Sequence, residues 1–153
     1  MSNQTSLRFS EMPSPQISFH SLVPVTALKD RKRFKSFLSR LFVLEKTRLN
    51  SLAIIFSDDN DLLSINKEWL HHDYLTDTIS FLLSEPEDPV LGEIYISIDR
   101  VKDNARTFQT TIREELHRVI IHSCLHLCGY DDTTKDLKEK MRKLENKWLA
   151  RYF

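Results

Sequence analysis

TIREELHRVIIHSCLHLCGYDD, Thr111 to Asp132, carries the densest pattern in the chain. Ile112, Leu116, Val119, Ile120, Cys124 and Leu127 recur at intervals of three and four, the spacing of one buried helix face. Thr110 or Thr111 can cap its start. Gly129 is placed to end it in a left-handed turn. Residues four apart on a helix stand about 40° apart around its axis, so His122 and His126 point the same way. That is how one helix offers two imidazoles to one metal ion. Once Gly129 stops the helix, the chain can fold back, and Asp131 or Asp132 can bring a carboxylate to the histidines. Cys124 and Cys128 each follow a histidine by two residues, about 200° around the helix. They read as small core residues and not as ligands. His117, about 140° from His122, is also poorly placed. Glu115 shares the histidine face two turns away and reads as a supporting or helix-start carboxylate. A zinc peptidase of the HExxH type needs a glutamate directly after its first histidine; Ser123 stands there.

Outward from this helix, the pattern alternates between short apolar runs and helical spacing. Residues 16–21, 51–57, 77–83 and 91–99 read as strands. The last of these sets Ile94, Ile96 and Ile98 against Glu93, Tyr95 and Ser97, a strand with one wetter face. Phe34, Phe37, Leu38, Leu41 and Phe42 mark a helix over about 30–46. The acids of 58–61 cap a helix carrying Leu62, Ile65, Trp69 and Leu70. Val101, Ala105 and Phe108 mark a short helix. Leu137, Met141, Leu144 and Trp148 mark a final one from about Thr134. The expected class is α+β: a single compact domain over 1–153, with a mixed sheet of about four strands and about five helices packed on it. Residues 1–15, polar and holding Pro13 and Pro15, are expected to be flexible.

Composition narrows the function. Lys and Arg number 22 and Asp and Glu also 22, which excludes a protein that coats nucleic acid by bulk charge. Local basic runs remain: Lys29, Arg31, Lys32, Arg33, Lys35 and Arg40, then Lys138, Lys140, Arg142, Lys143 and Lys147. No apolar run reaches the roughly 18 residues of a membrane span. The N-terminal stretch lacks the apolar segment of a signal peptide. Two cysteines four apart on one helix are poorly placed to bridge each other, and free thiols fit a reducing cytoplasm.

HSCLHLCGYDD (122–132) resembles the H-G-x-L-H-L-x-G-Y-D-H signature of the YbeY family, bacterial metal-dependent endoribonucleases that act as rRNA maturation factors. NKEWLHHDYLTDTISF (66–81) is similar to that family's N-x-x-Y-R-x-x-D-x-x-T-(N/D)-V-L-S-F block. LGEIYIS (91–97) is similar to its L-G-(D/E)-I-x-I-S strand. The resemblance spans Asn66 to Asp132 in order. It implies one zinc ion per chain, held by His122, His126 and, in the third position, Asp132. Three departures stand out: Ser123 replaces a glycine, Asp132 replaces the third histidine, and Leu70 occupies the place of an arginine associated with RNA cleavage. His71 and His72 beside that gap are the candidate catalytic residues, the rest being unassigned.

By resemblance, the substrate is single-stranded RNA. The role is maturation of the 3′ end of small-subunit ribosomal RNA and ribosome quality control, with the ribosome as partner. Two other readings compete: a non-catalytic zinc-containing, ribosome-associated RNA-binding module, and a zinc hydrolase of another substrate class.

Overall fold

The computed structural model describes residues 14–153. Residues 1–13 of the N-terminal stretch expected to be flexible lie outside the described residues. The elements run β1 (Gln16–Ser21), α1 (Arg31–Leu44), β2 (Leu49–Ser57), α2 (Asp59–Leu70), β3 (Thr78–Leu82), β4 (Val90–Ser97), α3 (Ile98–Thr107), α4 (Ile112–Leu127) and α5 (Lys135–Tyr152). Every expected element is present. The last strand stops at Ser97, two residues early, because the Ser97 hydroxyl accepts from the Arg100 amide and caps α3.

The four strands form one mixed sheet in the order β1-β2-β4-β3. β1 and β2 are parallel, joined through α1 as a βαβ unit, and β2 is parallel to β4. β3 runs antiparallel to β4. Register places Ile17, Leu52 and Gly92 in one row and Phe19, Ile54 and Ile94 in the next. Side chains alternate across a sheet, so these rows share one face with Phe56 and Ile96. That face forms the core with α1, α4 and α5. Ala53, Ile55, Glu93 and Tyr95 point to the other face and are half-buried. Within 51–57, Leu52, Ile54, Phe56 and Ser57 are buried and the residues between them are half-buried.

Gly92 sets how closely α4 approaches. A Cβ there would lie 2.8 Å from the Leu127 side chain and 3.3 Å from Leu52. The tight fit brings the C-terminal end of α4, with its histidines, down onto the sheet.

Two sequence expectations change. Trp69 and Leu70 do not face the core; they are 66% and 39% exposed at the end of α2, whose buried residues are Leu62 and Asn66. The Asn66 amide instead donates to the Tyr74 carbonyl at 3.0 Å, and its own carbonyl accepts from His72 N–H. These bonds hold the loop that leads into Asp77. Ile112 is also exposed, at the start of α4. No helix among the described residues is long and apolar enough to cross a membrane.

Candidate metal centre

α4 starts as its sequence requires. The Thr111 hydroxyl accepts from the Glu114 amide at 3.0 Å, and Glu114 and Glu115 lie in the first turn, where the helix dipole favours acids. The helix is then buried on almost every side, from Glu115 to Leu127. The exceptions are informative. Arg118, His122 and His126 are only partly buried and follow one another at intervals of four. They form a polar stripe on an otherwise enclosed helix.

The end of α4 brings in the carboxylate. Gly129 has φ +100°, a backbone region that side chains rarely adopt. The Gly129 amide donates to the His126 carbonyl at 2.9 Å and the Tyr130 amide to the Leu125 carbonyl at 3.1 Å, the paired bonds of a Schellman turn. The Tyr130 hydroxyl then donates to Glu45 at 2.6 Å, tying the turn to the end of α1. Trp148 of α5 donates to the other oxygen of Glu45 at 3.0 Å.

Asp131 and Asp132 have different jobs. Asp131 accepts from the amides of Asp132 and Thr133 and from the Thr133 hydroxyl. It is used within the turn, and those bonds hold its carboxyl below the usual carboxylate range. Asp132 turns toward the histidines. Its Oδ2 lies 3.4 Å from His122 Nε2 and 3.3 Å from His126 Nε2, and the two Nε2 atoms are 3.0 Å apart. Among the described residues, these three form the one group of His, Cys, Asp and Glu side chains that could hold a metal ion.

The hydrogen-bond partners set the tautomers. His126 Nδ1 lies 2.8 Å from the Tyr130 carbonyl, and His122 Nδ1 lies 2.7 Å from Glu145 Oε2. Both partners accept, so each Nδ1 carries the hydrogen, and in a neutral ring each Nε2 presents a lone pair. Two lone pairs and a carboxylate oxygen then face one another with no hydrogen among them. That arrangement calls for a cation. Bonds of about 2.0–2.1 Å to a tetrahedral zinc put ligand atoms about 3.3–3.4 Å apart. The three observed separations lie close to such a triangular face. The three side chains are 25%, 29% and 32% exposed, so the triad opens to solvent on one side.

Glu145 supports this arrangement from α5, 23 residues beyond His122. Its other oxygen accepts from Arg118 at 3.1 Å, and the Arg118 and Glu145 side chains are only 12% and 7% exposed. Burial pushes the Glu145 carboxyl up, but His122 and Arg118 outweigh burial and hold it below its usual range. Burial opposes protonation of His122, yet Glu145, Asp132 and Asp77 raise its pKa above the ordinary value.

A pocket of about 380 Å³ adjoins His122, lined by Asp77, Asn104, Glu115, Arg118, Arg142 and Glu145 among others. Asp77 accepts from Asn104 at 3.1 Å, and burial raises its pKa. Burial likewise raises that of Glu115. Glu145, Arg118, Asp77 and Asn104 were not singled out from the sequence. Glu145 carried a signal: with Met141 and Trp148 it falls at helical spacing on the buried face of α5, where a carboxylate has no place unless something pairs with it.

The other candidates lie apart from the triad. His71 caps α2 in the left-handed region and is exposed. His72 stacks on Tyr74, with Nδ1 2.9 Å from its hydroxyl. His117 is buried against Phe34 and Tyr152, hydrogen-bonded to the Arg113 carbonyl, and burial lowers its pKa to about 4. The Ser123 hydroxyl donates to the Val119 carbonyl and pairs with Thr78, away from the histidines.

Cys124 is buried, and burial lifts its thiol well above the ordinary value. Cys128 is only partly buried, short of the full burial its helical position implied, and burial pushes it up to about 12. Neither is poised as a thiolate ligand. Replacing both by alanine should therefore leave metal content unchanged. The cost should be on the order of 1–2 kcal/mol of stability, chiefly from the cavity at Cys124. Plasma mass spectrometry of the folded double variant checks this, and loss of metal would contradict it.

The family model described as Endoribonuclease YbeY matches residues 20–153. The Endoribonuclease YbeY of Cytophaga hutchinsonii is 44% identical over 123 residues, covering 80% of this chain and 86% of the relative. That of Amoebophilus asiaticus is 42% identical over 122 residues, covering 80% and 83%. A Thermotoga maritima protein solved in solution superposes with a TM-score of 0.56 at 26% identity, over 88% of this chain and 89% of that one. With a family model matched from β1 to the C-terminus and relatives aligned over most of their own length, the chain belongs to the YbeY family of endoribonucleases.

Proposed function

We propose that this chain is a zinc-dependent endoribonuclease that cuts single-stranded RNA, with the ion held by His122 Nε2, His126 Nε2 and Asp132. The observation that carries this reading is the convergence of three acceptor atoms, 3.0–3.4 Å apart, with hydrogens directed away from their centre. Two imidazoles and one carboxylate suit zinc, and three protein ligands leave a fourth position for reaction. When bound, the ion supplies positive charge to a phosphoryl oxygen and acidifies a water molecule.

The chain's own residues do the rest. Glu145 and the Tyr130 carbonyl fix the two rings by their Nδ1 hydrogens, so both Nε2 atoms stay aimed at one point. Asp131 holds the turn that presents Asp132. The open side admits a flexible RNA strand. Asp77 and Glu115 line the pocket beside His122 with pKa values raised by burial.

The relatives are named as endoribonucleases, which supports RNA as substrate. We extend the reading to the cytoplasm, to small-subunit ribosomal RNA near its 3′ end as the substrate, and to the ribosome as the partner. Leu70, uncharged and exposed, favours a second reading in which the protein binds RNA without cutting it. One experiment separates them: cleavage of a single-stranded RNA by purified protein before chelation, after chelation, and after zinc is restored. The enzyme reading expects activity to be lost and regained. Metal-bound protein that binds RNA but never cuts it would support the second.

A further inference from the structure

We infer that Arg142 forms a phosphate-binding subsite beside the metal centre, holding an RNA phosphate next to the one that is cut. The inference rests on the function proposed above.

Ten or so basic residues on α1 and α5 are candidates from the sequence, and the structure separates them. On α1, Arg33 donates to the Tyr152 carbonyl and lies 4.2 Å from the Tyr152 ring, while Arg31 and Lys35 lie over Phe19. On α5, Lys147 lies over Trp148. Arg142 differs because it lines the same pocket as His122.

Its surroundings hold the guanidinium without using it up. The group sits 5.7 Å from the ring of Phe108, itself 55% exposed at the end of α3. The Glu145 carboxylate is 3.7 Å away, close enough to orient Arg142 but too far for a hydrogen bond. Among the described residues Arg142 makes no hydrogen bond, so its fork of donors is available to a planar pair of phosphate oxygens.

The pocket also contains acids, and their depth decides the sign. Glu115 and Glu145 are 4% and 5% exposed, Asp77 is half-buried and accepts from Asn104, and Arg118, tied to Glu145, has a side chain 12% exposed. These groups form the floor. The Arg142 side chain, 51% exposed, stands at the mouth. A phosphate arriving from solvent meets the exposed guanidinium before the buried Glu115 and Glu145.

The test uses the full-length, zinc-loaded protein and a short unstructured single-stranded oligoribonucleotide. Arg142→Ala, Arg142→Lys and Lys102→Ala are compared with the parent; Lys102 is on α3 but turned about 200° from Asn104. Metal content, KM, kcat and the salt dependence of RNA binding are measured for each. For Arg142→Ala, KM should rise about 10-fold with little change in kcat, as expected for one charge-assisted contact. The slope of log affinity against log salt should fall by about 0.7. Arg142→Lys should restore the salt slope but only part of the affinity. Lys102→Ala should match the parent, and all four proteins should hold equal zinc. If Arg142→Ala binds and cuts RNA like the parent, the subsite is wrong and the nuclease reading stands. If it loses zinc, Arg142 merely supports Glu145, and the subsite is again wrong. A parent that neither binds nor cuts RNA overturns both.

Discussion

His126→Ala should lose stoichiometric zinc and, with it, RNA cleavage, while the protein stays folded. His126 contributes its Nε2 to the triad and its Nδ1 hydrogen bond to the Tyr130 carbonyl. Removing it leaves one imidazole and one carboxylate, too few to hold a tetrahedral site closed on three sides. Loss of an outer-shell partner alone weakens metal binding by about 10–100-fold, so loss of a ligand should exceed about 100-fold. Fold should survive, because the side chain is 29% exposed. Metal titration of the variant, with circular dichroism to verify folding, measures the effect. Retention of one tightly bound zinc per chain would place the site elsewhere.

Glu145→Ala should be nearly as damaging, although Glu145 touches neither metal nor RNA in this account. It fixes the His122 ring at 2.7 Å and partners Arg118 at 3.1 Å. Without it, His122 is free to rotate, and zinc affinity should fall about 10–100-fold. Arg118 is left nearly buried without its carboxylate, at a cost of about 3 kcal/mol. Glu145→Gln separates the two effects. The glutamine carbonyl oxygen can still accept from His122 Nδ1–H, so zinc affinity should recover in part. Its amide cannot neutralise Arg118, so stability should not. Equal zinc affinity in parent and both variants would remove Glu145 from the metal centre.

The two residues show where sequence reading reaches and where it stops. The His122–His126 pair and its glycine stop are local: helical periodicity and one backbone preference are enough to place them. The strands were legible for the same reason, since each is a short apolar run between polar breaks. The exposure of Trp69 and Leu70 was not, because periodicity assigns a face to α2 without saying how far the core extends along it. The choice between Asp131 and Asp132 was open until the turn showed Asp131 consumed by Thr133 and the Asp132 amide. Family resemblance chose Asp132, and the turn supplies a physical reason. Glu145, Asp77 and Asn104 reach the site only through the packing of α5, the loop before β3, and α3 around α4. No spacing rule connects positions on separate elements. The one available hint was a carboxylate on the buried stripe of α5.

Anomalous scattering from a crystal of zinc-loaded protein, recorded on either side of the zinc absorption edge, tests the central claim most directly. One peak per chain is expected, about 2.0–2.2 Å from His122 Nε2, His126 Nε2 and an Asp132 oxygen. A peak bound by Cys124 or Cys128, by Asp131 in place of Asp132, or away from α4 altogether would contradict the account.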